Sequence, residues 1–296
     1  MKQLIVNGDD FGMAPGVNRA IVQAHREGIL SSTSLLANGA AFEEAVTAAR
    51  ENPRLGFGVH LNLTQGRPLS DPGALGALLD DRGEFLGHAE PLYLRMVLGR
   101  VAESAVEQEF RAQIERVRDA GLQPTHLDGH QHVHMWPPVF RVTARLAAEY
   151  GLAGVRSSRE RRVDFHGLWR RNTGFRGTIL QQAGVGLGLA FLTAISRAAL
   201  AEAGVATPDY FYGVSATGFL NRQTLEDILR DVPDGVSELM AHPGYVDAVL
   251  EGVETRLVAQ REQELDALTC PRARILLEEM GIQLVTYRAL EARRKE

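Results

Sequence analysis

A single cysteine, Cys270, stands among 296 residues, so no intrachain disulfide can form and the chain fits a reducing cytoplasm. It lies in Leu268-Thr269-Cys270-Pro271, away from other ligating residues, and reads as structural. Positive charge is also short. Thirty-two Lys and Arg face 37 Asp and Glu, a net charge of −5, which argues against nucleic acid as the main partner. No Ser/Pro-rich linker and no fixed-period repeat divides the chain. The start, Met1-Lys2-Gln3-Leu4-Ile5-Val6, turns acidic too soon for a signal peptide. Only residues 177–196 form a long run without charge. Its apolar core is shorter than the ~20 residues of a spanning helix, and Gln181-Gln182 interrupt it. The run reads as a buried or lid helix and predicts no transmembrane segment; contact with a membrane surface or a homodimer face is the alternative.

What is present is an alternation of short apolar strands and amphipathic helices. Strands are expected at 3–8, 31–37, 55–61, 125–128, 154–157, 212–216, 236–241 and 282–287. Helices are expected after Pro15 (ended by Gly28), at 41–51, 91–120 with a break near Gly99, 137–150, 222–230, 251–268 and 271–280. Such strand–helix units imply parallel strands. The pattern predicts an α/β fold, a distorted TIM-like (β/α) barrel in one domain spanning 1–296, with an insertion or lid at 158–210. An open doubly wound sheet fits the same pattern. In either case ligands gather at the C-terminal strand ends.

The chemistry concentrates there. Thr125-His126-Leu127-Asp128-Gly129-His130-Gln131-His132-Val133-His134 places four of nine histidines and a carboxylate within nine positions. Imidazoles beside a carboxylate suit a divalent metal. Asp9-Asp10 follows the first strand, His60 ends the third, and His242 precedes a Pro-Gly turn after the strand near 240. Singly, each has a plainer reading: an Asx-type turn for the aspartates, a core or packing role for His60 and His242. Four separated segments at one structural position favour a shared site. Asp9 and Asp10 point apart in extended backbone, which rules out a glycosidase pair but lets them divide labour at a turn. His126 and Asp128 share a strand face. With His132, His134 and Arg156 of the fifth strand, they are assigned to substrate contact or to supporting the ligands. His25, His88 and His166 have no such placement and read as surface residues.

Together, Ile5-Val6-Asn7-Gly8-Asp9-Asp10-Phe11-Gly12, Gly58-Val59-His60-Leu61, Thr125 to His134 and Met240-Ala241-His242-Pro243-Gly244 resemble the YdjC-like carbohydrate deacetylases, from the first strand to Leu284-Val285-Thr286-Tyr287-Arg288. The resemblance implies a distorted TIM-like barrel that removes acetyl groups from N-acetylated sugars with one divalent metal. It makes Asp10, His60 and His130 the ligands, Asp9 the general base and His242 the general acid. Gly8 and Gln131 depart from the Ala and His common in the family, and Gln131 is expected to alter the support around the ligands. Region 158–210, notably Thr207-Pro208-Asp209-Tyr210-Phe211-Tyr212-Gly213, resembles the hopanoid-biosynthesis-associated branch more than the diacetylchitobiose deacetylases. A lipid-linked amino sugar would give the apolar run a purpose.

The expected partners are therefore N-acetylated mono- or oligosaccharides, lipid-linked ones included. The expected cofactor is Zn²⁺ or Mg²⁺, with Mn²⁺ or Co²⁺ next. The expected setting is cytoplasmic or peripheral to a membrane. The rivals are another barrel metal hydrolase (a phosphoesterase or cyclic amidohydrolase) and a catalytically silent sugar- or lipid-binding protein. Against the first, a His-x-His is expected on the first strand, where this chain has Asp9-Asp10.

Overall fold

The computed structural model describes residues 1–161 and 165–295. The side chain of His166, one of the expected surface histidines, lies outside the described set. In chain order the elements are β1 (Lys2–Phe11), α1 (Pro15–Glu27), β2 (Ser32–Leu35), α2 (Phe42–Glu51) and β3 (Gly56–Leu61). Then come α3 (Pro72–Leu75), α4 (Ala89–Val97), α5 (Glu103–Asp119), β4 (His126–Gly129), α6 (Pro137–Glu149) and β5 (Gly154–Val155). The second half holds α7 (Phe165–Arg171), α8 (Arg176–Ala203), β6 (Tyr210–Tyr212), α9 (Arg222–Asp231) and β7 (Gly235–Ala241). It closes with α10 (Ala248–Glu251), α11 (Gln260–Thr269), α12 (Pro271–Glu279) and β8 (Ile282–Leu284).

Strand order is β5-β4-β3-β2-β1-β7-β6, and every pairing is parallel. Only the β1–β7 step breaks sequence order, as it must when first and last strands of a ring meet. Parallel bridges from Gly154 to Ala206 and from Glu160 to Phe211 draw the two edges together. The sheet thus curls into a distorted TIM-like barrel rather than an open doubly wound sheet. β8 pairs with the first residues of β1, below the point where β1 meets β2. Strands such as β3, buried at all six positions, read as continuous apolar runs because helices cover the outside and side chains fill the inside.

Several expectations are corrected. β1 runs on through Phe11, so Asp9 and Asp10 lie within it rather than after it. The register slips between Gly8 and Phe11, and Asp10 has φ +70. A bulge, not a turn, therefore separates the two carboxylates. β6 spans Tyr210–Tyr212 and ends where the expected 212–216 segment begins, because Gly213 has φ +136 and the N–H groups of Gly213 and Ser215 donate to Glu160 instead of a neighbouring strand. β8 stops at Leu284, and Tyr287 and Leu290 turn in to plug the barrel floor against Ile5 and Val236. Gly28 has φ −112 rather than a left-handed cap. Glycine is needed because a Cβ would stand 2.4 Å from the Leu268 carbonyl. The apolar run is part of α8, 28 residues long, and the 173–196 stretch is only 28 % buried. By length and composition it could cross a membrane, but one face packs on α6 and another lines a cavity.

Candidate active site

A cavity of about 610 Å³ opens at the C-terminal ends of the strands, within the size usual for ligand sites. Asp9, Asp10, His60, His130, His132 and His242 line it. β1 delivers the aspartates, β3 His60, the turn after β4 His130 and His132, and the end of β7 His242. Among the described residues, three besides glycines have left-handed backbone, Asp10 (φ +70), Gln131 (φ +51) and His132 (φ +56), and all three lie in this wall. Strain of this kind is sustained where surrounding contacts over-determine the conformation. At Asp10 it allows neighbours in one strand to line the same cavity.

Asp10 Oδ1 is 2.9 Å from His130 Nδ1 and 3.4 Å from His60 Nε2, while Asp10 Oδ2 accepts from Arg261 Nη2 at 2.6 Å. His60 Nδ1 donates to Asp128 Oδ1 at 2.9 Å. In its neutral form His60 therefore keeps its hydrogen on Nδ1 and leaves Nε2 facing Asp10. On His130 the assignment comes from Gln65. The Gln65 amide NH₂ donates to the Glu254 carbonyl, which turns Oε1 towards His130 Nε2 at 3.2 Å. An amide oxygen only accepts, so Nε2 carries the hydrogen and Nδ1 of the neutral ring presents a lone pair to Asp10 Oδ1. In their neutral forms the two imidazoles thus turn Nε2 of His60 and Nδ1 of His130 towards one carboxylate oxygen. This donor set fits a divalent cation of the Zn²⁺ type. Burial disfavours a charged His60, yet the Asp128 carboxylate and the contact with Asp10 push it up to about 10, so near neutral pH a cation binding here would displace a proton from His60 Nε2. Burial would raise the Asp10 carboxyl, but Arg261 and His130 hold it well below the usual range.

Asp9, His60 and Asp128 also lie close enough to form a second ligand group. There, however, a cation is already built in. Buried Arg156 contacts Asp9 Oδ2 at 2.6 Å and Oδ1 at 2.7 Å, Asp128 Oδ2 at 2.8 Å and Glu238 Oε1 at 2.8 Å. The first group keeps the better claim to a metal, because only one Asp10 oxygen is taken by an arginine.

Asp9 Oδ1 receives two donors, Arg156 Nη2 and Asn7 Nδ2, whereas Oδ2 receives one. A carboxylate oxygen has two lone pairs, so Oδ2 retains one for a further donor. His242 lines the cavity, its backbone N–H donates to Glu264 at 2.6 Å, and its Nδ1, 3.8 Å from the same carboxylate, has no hydrogen-bond partner. His132 lines the cavity with its Nδ1 3.0 Å from Ser158 Oγ. Asp128, Arg156, His126 and His134 do not line it. His126 lies stacked at 3.7 Å on Tyr287 inside the barrel, pushed down to about 3 mainly by burial. His134 sits near Phe140 with its Nε2 3.2 Å from the Arg156 carbonyl, pushed down to about 4 mainly by burial. These four hold other residues in place. Gln131 supports α4 rather than His130, accepting from Ala89 N and donating to Gly87 O.

Sequence reasoning missed Gln65, Arg261, Glu264 and Glu238, and gave Tyr287 of the closing family stretch no role. The first four sit in no motif, and Arg261 is 251 positions from the aspartate it contacts. Only folding brings them together.

The family model for YdjC-like proteins matches residues 3–279. A carbohydrate deacetylase of Brevibacillus brevis is 36% identical over 97% of this chain and 99% of its own length. One from Geobacillus stearothermophilus is 34% identical over 96% of each, and one from Mus musculus is 34% identical over 99% and 96%. Among solved structures, an Enterococcus faecalis protein described as a candidate cellobiose-phosphate cleavage protein superposes with a TM-score of 0.79 at 27% identity, covering 98% of both chains. The motif order, the barrel and a match over nearly the whole length agree, and the chain belongs to the YdjC-like protein family.

Proposed function

We propose that this chain is a metal-dependent carbohydrate N-deacetylase that hydrolyses the acetamide of an N-acetylated mono- or oligosaccharide in the cytoplasm. The observation that carries the metal dependence is the convergence of three potential ligand atoms, His60 Nε2, His130 Nδ1 and Asp10 Oδ1, in one buried group. Carbohydrate as the substrate class rests on the family and its deacetylase relatives. Asp10, His60 and His130 would hold the cation, Zn²⁺ or Mg²⁺ before Mn²⁺ or Co²⁺. When bound, it supplies Lewis acidity that polarises an amide carbonyl and acidifies water.

The chain's own residues supply the proton traffic. Asp9 Oδ2, with its spare lone pair, takes a proton from the attacking water while Arg156 and Asn7 keep the carboxylate aimed. As the new C–O bond forms and the C–N bond breaks, His242 protonates the nitrogen, because an amine anion is too poor a leaving group to depart unaided. The products are acetate and the free amino sugar. His132 touches the substrate; Asp128, His126, His134 and Arg156 keep ligands and base in place. Residues 158–210 act as a lid within a single catalytic domain spanning 1–296. Val185, Leu189 and Leu192 of α8 line the cavity opposite its polar floor, a wall suited to an aliphatic aglycone on a lipid-linked amino sugar.

The test is metal analysis of the purified protein joined to an acetate-release screen over N-acetylated sugars, soluble and lipid-linked, with phosphate esters assayed alongside. Acetate release abolished by chelation and restored by a divalent cation is expected. Phosphate-ester turnover without acetate release, or turnover indifferent to chelation, would sink the proposal.

A further inference from the structure

The outer face of α8 has a composition that its catalytic role does not require. Leu180, Leu187, Phe191 and Ile195 recur at helical spacing on one exposed stripe, with Leu187 and Phe191 75 % and 67 % exposed. Phe175 is exposed just before the helix. Across the same cavity, α4 lines one wall with Tyr93, and Leu94, Val97 and Leu98 at its far end are exposed. Both apolar surfaces thus belong to elements that frame one opening. An exposed cluster of large apolar side chains next to a functional mouth marks an interaction surface.

Charge indicates what covers it. Residues 165–201 include Arg170, Arg171 and Arg176 and no acidic residue, and of these Arg171 is ion-paired with Asp227 of α9. Residues 89–102 carry Arg100 and Arg95 against Glu90, with Arg95 held by the Ala77 and Leu79 carbonyls. The whole chain, by contrast, has more acidic than basic residues. Leu and Phe flanked by arginine suit the boundary between acyl chains and anionic headgroups. A twofold contact between copies would instead oppose arginine-rich segments with no carboxylate on the stripe to pair them. Nor does the helix cross a bilayer here. Its inner faces pack on α6 and line the cavity, which leaves only the outer stripe to meet a bilayer, lying along the interface.

We propose that the outer stripe of α8 and the apolar end of α4 dock on an anionic lipid bilayer, seating the cavity mouth at the headgroup layer. This stands apart from the deacetylase reading, since it concerns a face without catalytic residues. The test is co-sedimentation of the full chain with phosphatidylcholine vesicles, with and without phosphatidylglycerol. Binding is expected to the anionic vesicles, weakening as salt is added. Each arginine reaching the surface contributes roughly fivefold in affinity. The double substitution Leu187→Glu and Phe191→Glu, neither residue lining the cavity, should lower binding about tenfold or more while the melting temperature holds. Protein left in the supernatant with anionic vesicles, equal binding to neutral ones, or undiminished binding by a folded double variant would each overturn the proposal. A parent that is dimeric without lipid, becomes monomeric on double substitution and ignores vesicles would assign the face to a second copy.

Discussion

Replacing Asp128 with Asn changes no shape and removes one charge, which makes it a sharp probe of the proposed metal site. Asp128 Oδ1 accepts from His60 Nδ1, and Oδ2 accepts from Ser34 Oγ and Arg156 at 2.6 and 2.8 Å. An asparagine must put its NH₂ on one side or the other. Facing Arg156, it sets donor against donor in a fully buried place. Facing His60, it is tolerated only if the hydrogen moves from Nδ1 to Nε2, the atom that should hold the cation. Loss of a carboxylate that orients a ligating histidine weakens metal binding about 10- to 100-fold, or ~1.4–2.7 kcal/mol. Loss of a buried charged hydrogen bond weakens the fold by ~1.5–3 kcal/mol. Calorimetric zinc titration against parent protein, with a thermal melt to verify folding, measures both. Ser34→Ala is the control. It removes a donor to the other oxygen and leaves the His60 assignment intact, so its affinity should stay within about threefold of parent. A folded Asp128→Asn protein that binds zinc as tightly as the parent would refute the reasoning.

Asp9→Asn should cost ~10²-fold or more in acetate release yet keep metal, whereas Asp10→Asn should lose metal; the reverse pattern in metal analysis would exchange their roles. His242→Ala should cost a similar ~10²-fold in turnover with metal content unchanged, and near-normal turnover would remove His242 from the acid role. Gly58→Ala places a Cβ 2.4 Å from the His126 ring, which cannot retreat because Tyr287 is stacked behind it at 3.7 Å. A loss of ~1–3 kcal/mol, several degrees by calorimetry, is expected. His134 is neutral when folded and pushed down to about 4, mainly by burial. Between its ordinary value near 6.5 and about 4, the unfolded chain takes up a proton that the folded one refuses. The stability this contributes is present above 6.5 and falls by up to ~1.4 kcal/mol per pH unit on acidification. Urea titrations at pH 7 and 5 should show a flatter pH dependence in His134→Phe than in the parent, and identical slopes would contradict the assignment.

Much of the site was legible because chemistry and secondary structure coincide in this chain. Histidines and aspartates occur where apolar runs end, and a parallel α/β fold brings those ends to one face. Asp9, Asp10, His60, His130, His132 and His242 do line one cavity. The density of histidines in 126–134 was a poorer guide. His126 and His134 are buried away from the cavity because strand alternation and the turn after β4 aim them inward and sideways. The sequence likewise placed the apolar run but not its exposure, since whether a face is covered depends on what packs beside it.

The sequence by itself determined the alternation of strands and helices, the strand ends that carry acid, base and imidazole, and the family motifs. These are local, recorded in spacing a few residues long. Tertiary structure alone decided the bulge that splits Asp9 from Asp10, which ring nitrogen of His60 and of His130 faces Asp10, and the guanidinium beside each aspartate. Gln65 assigns the His130 hydrogen from 65 positions away, Asp128 assigns that of His60 from 68, and Arg156 reaches Asp9 across 147. Lone-pair direction is fixed by a partner in space, and no spacing along the chain records it.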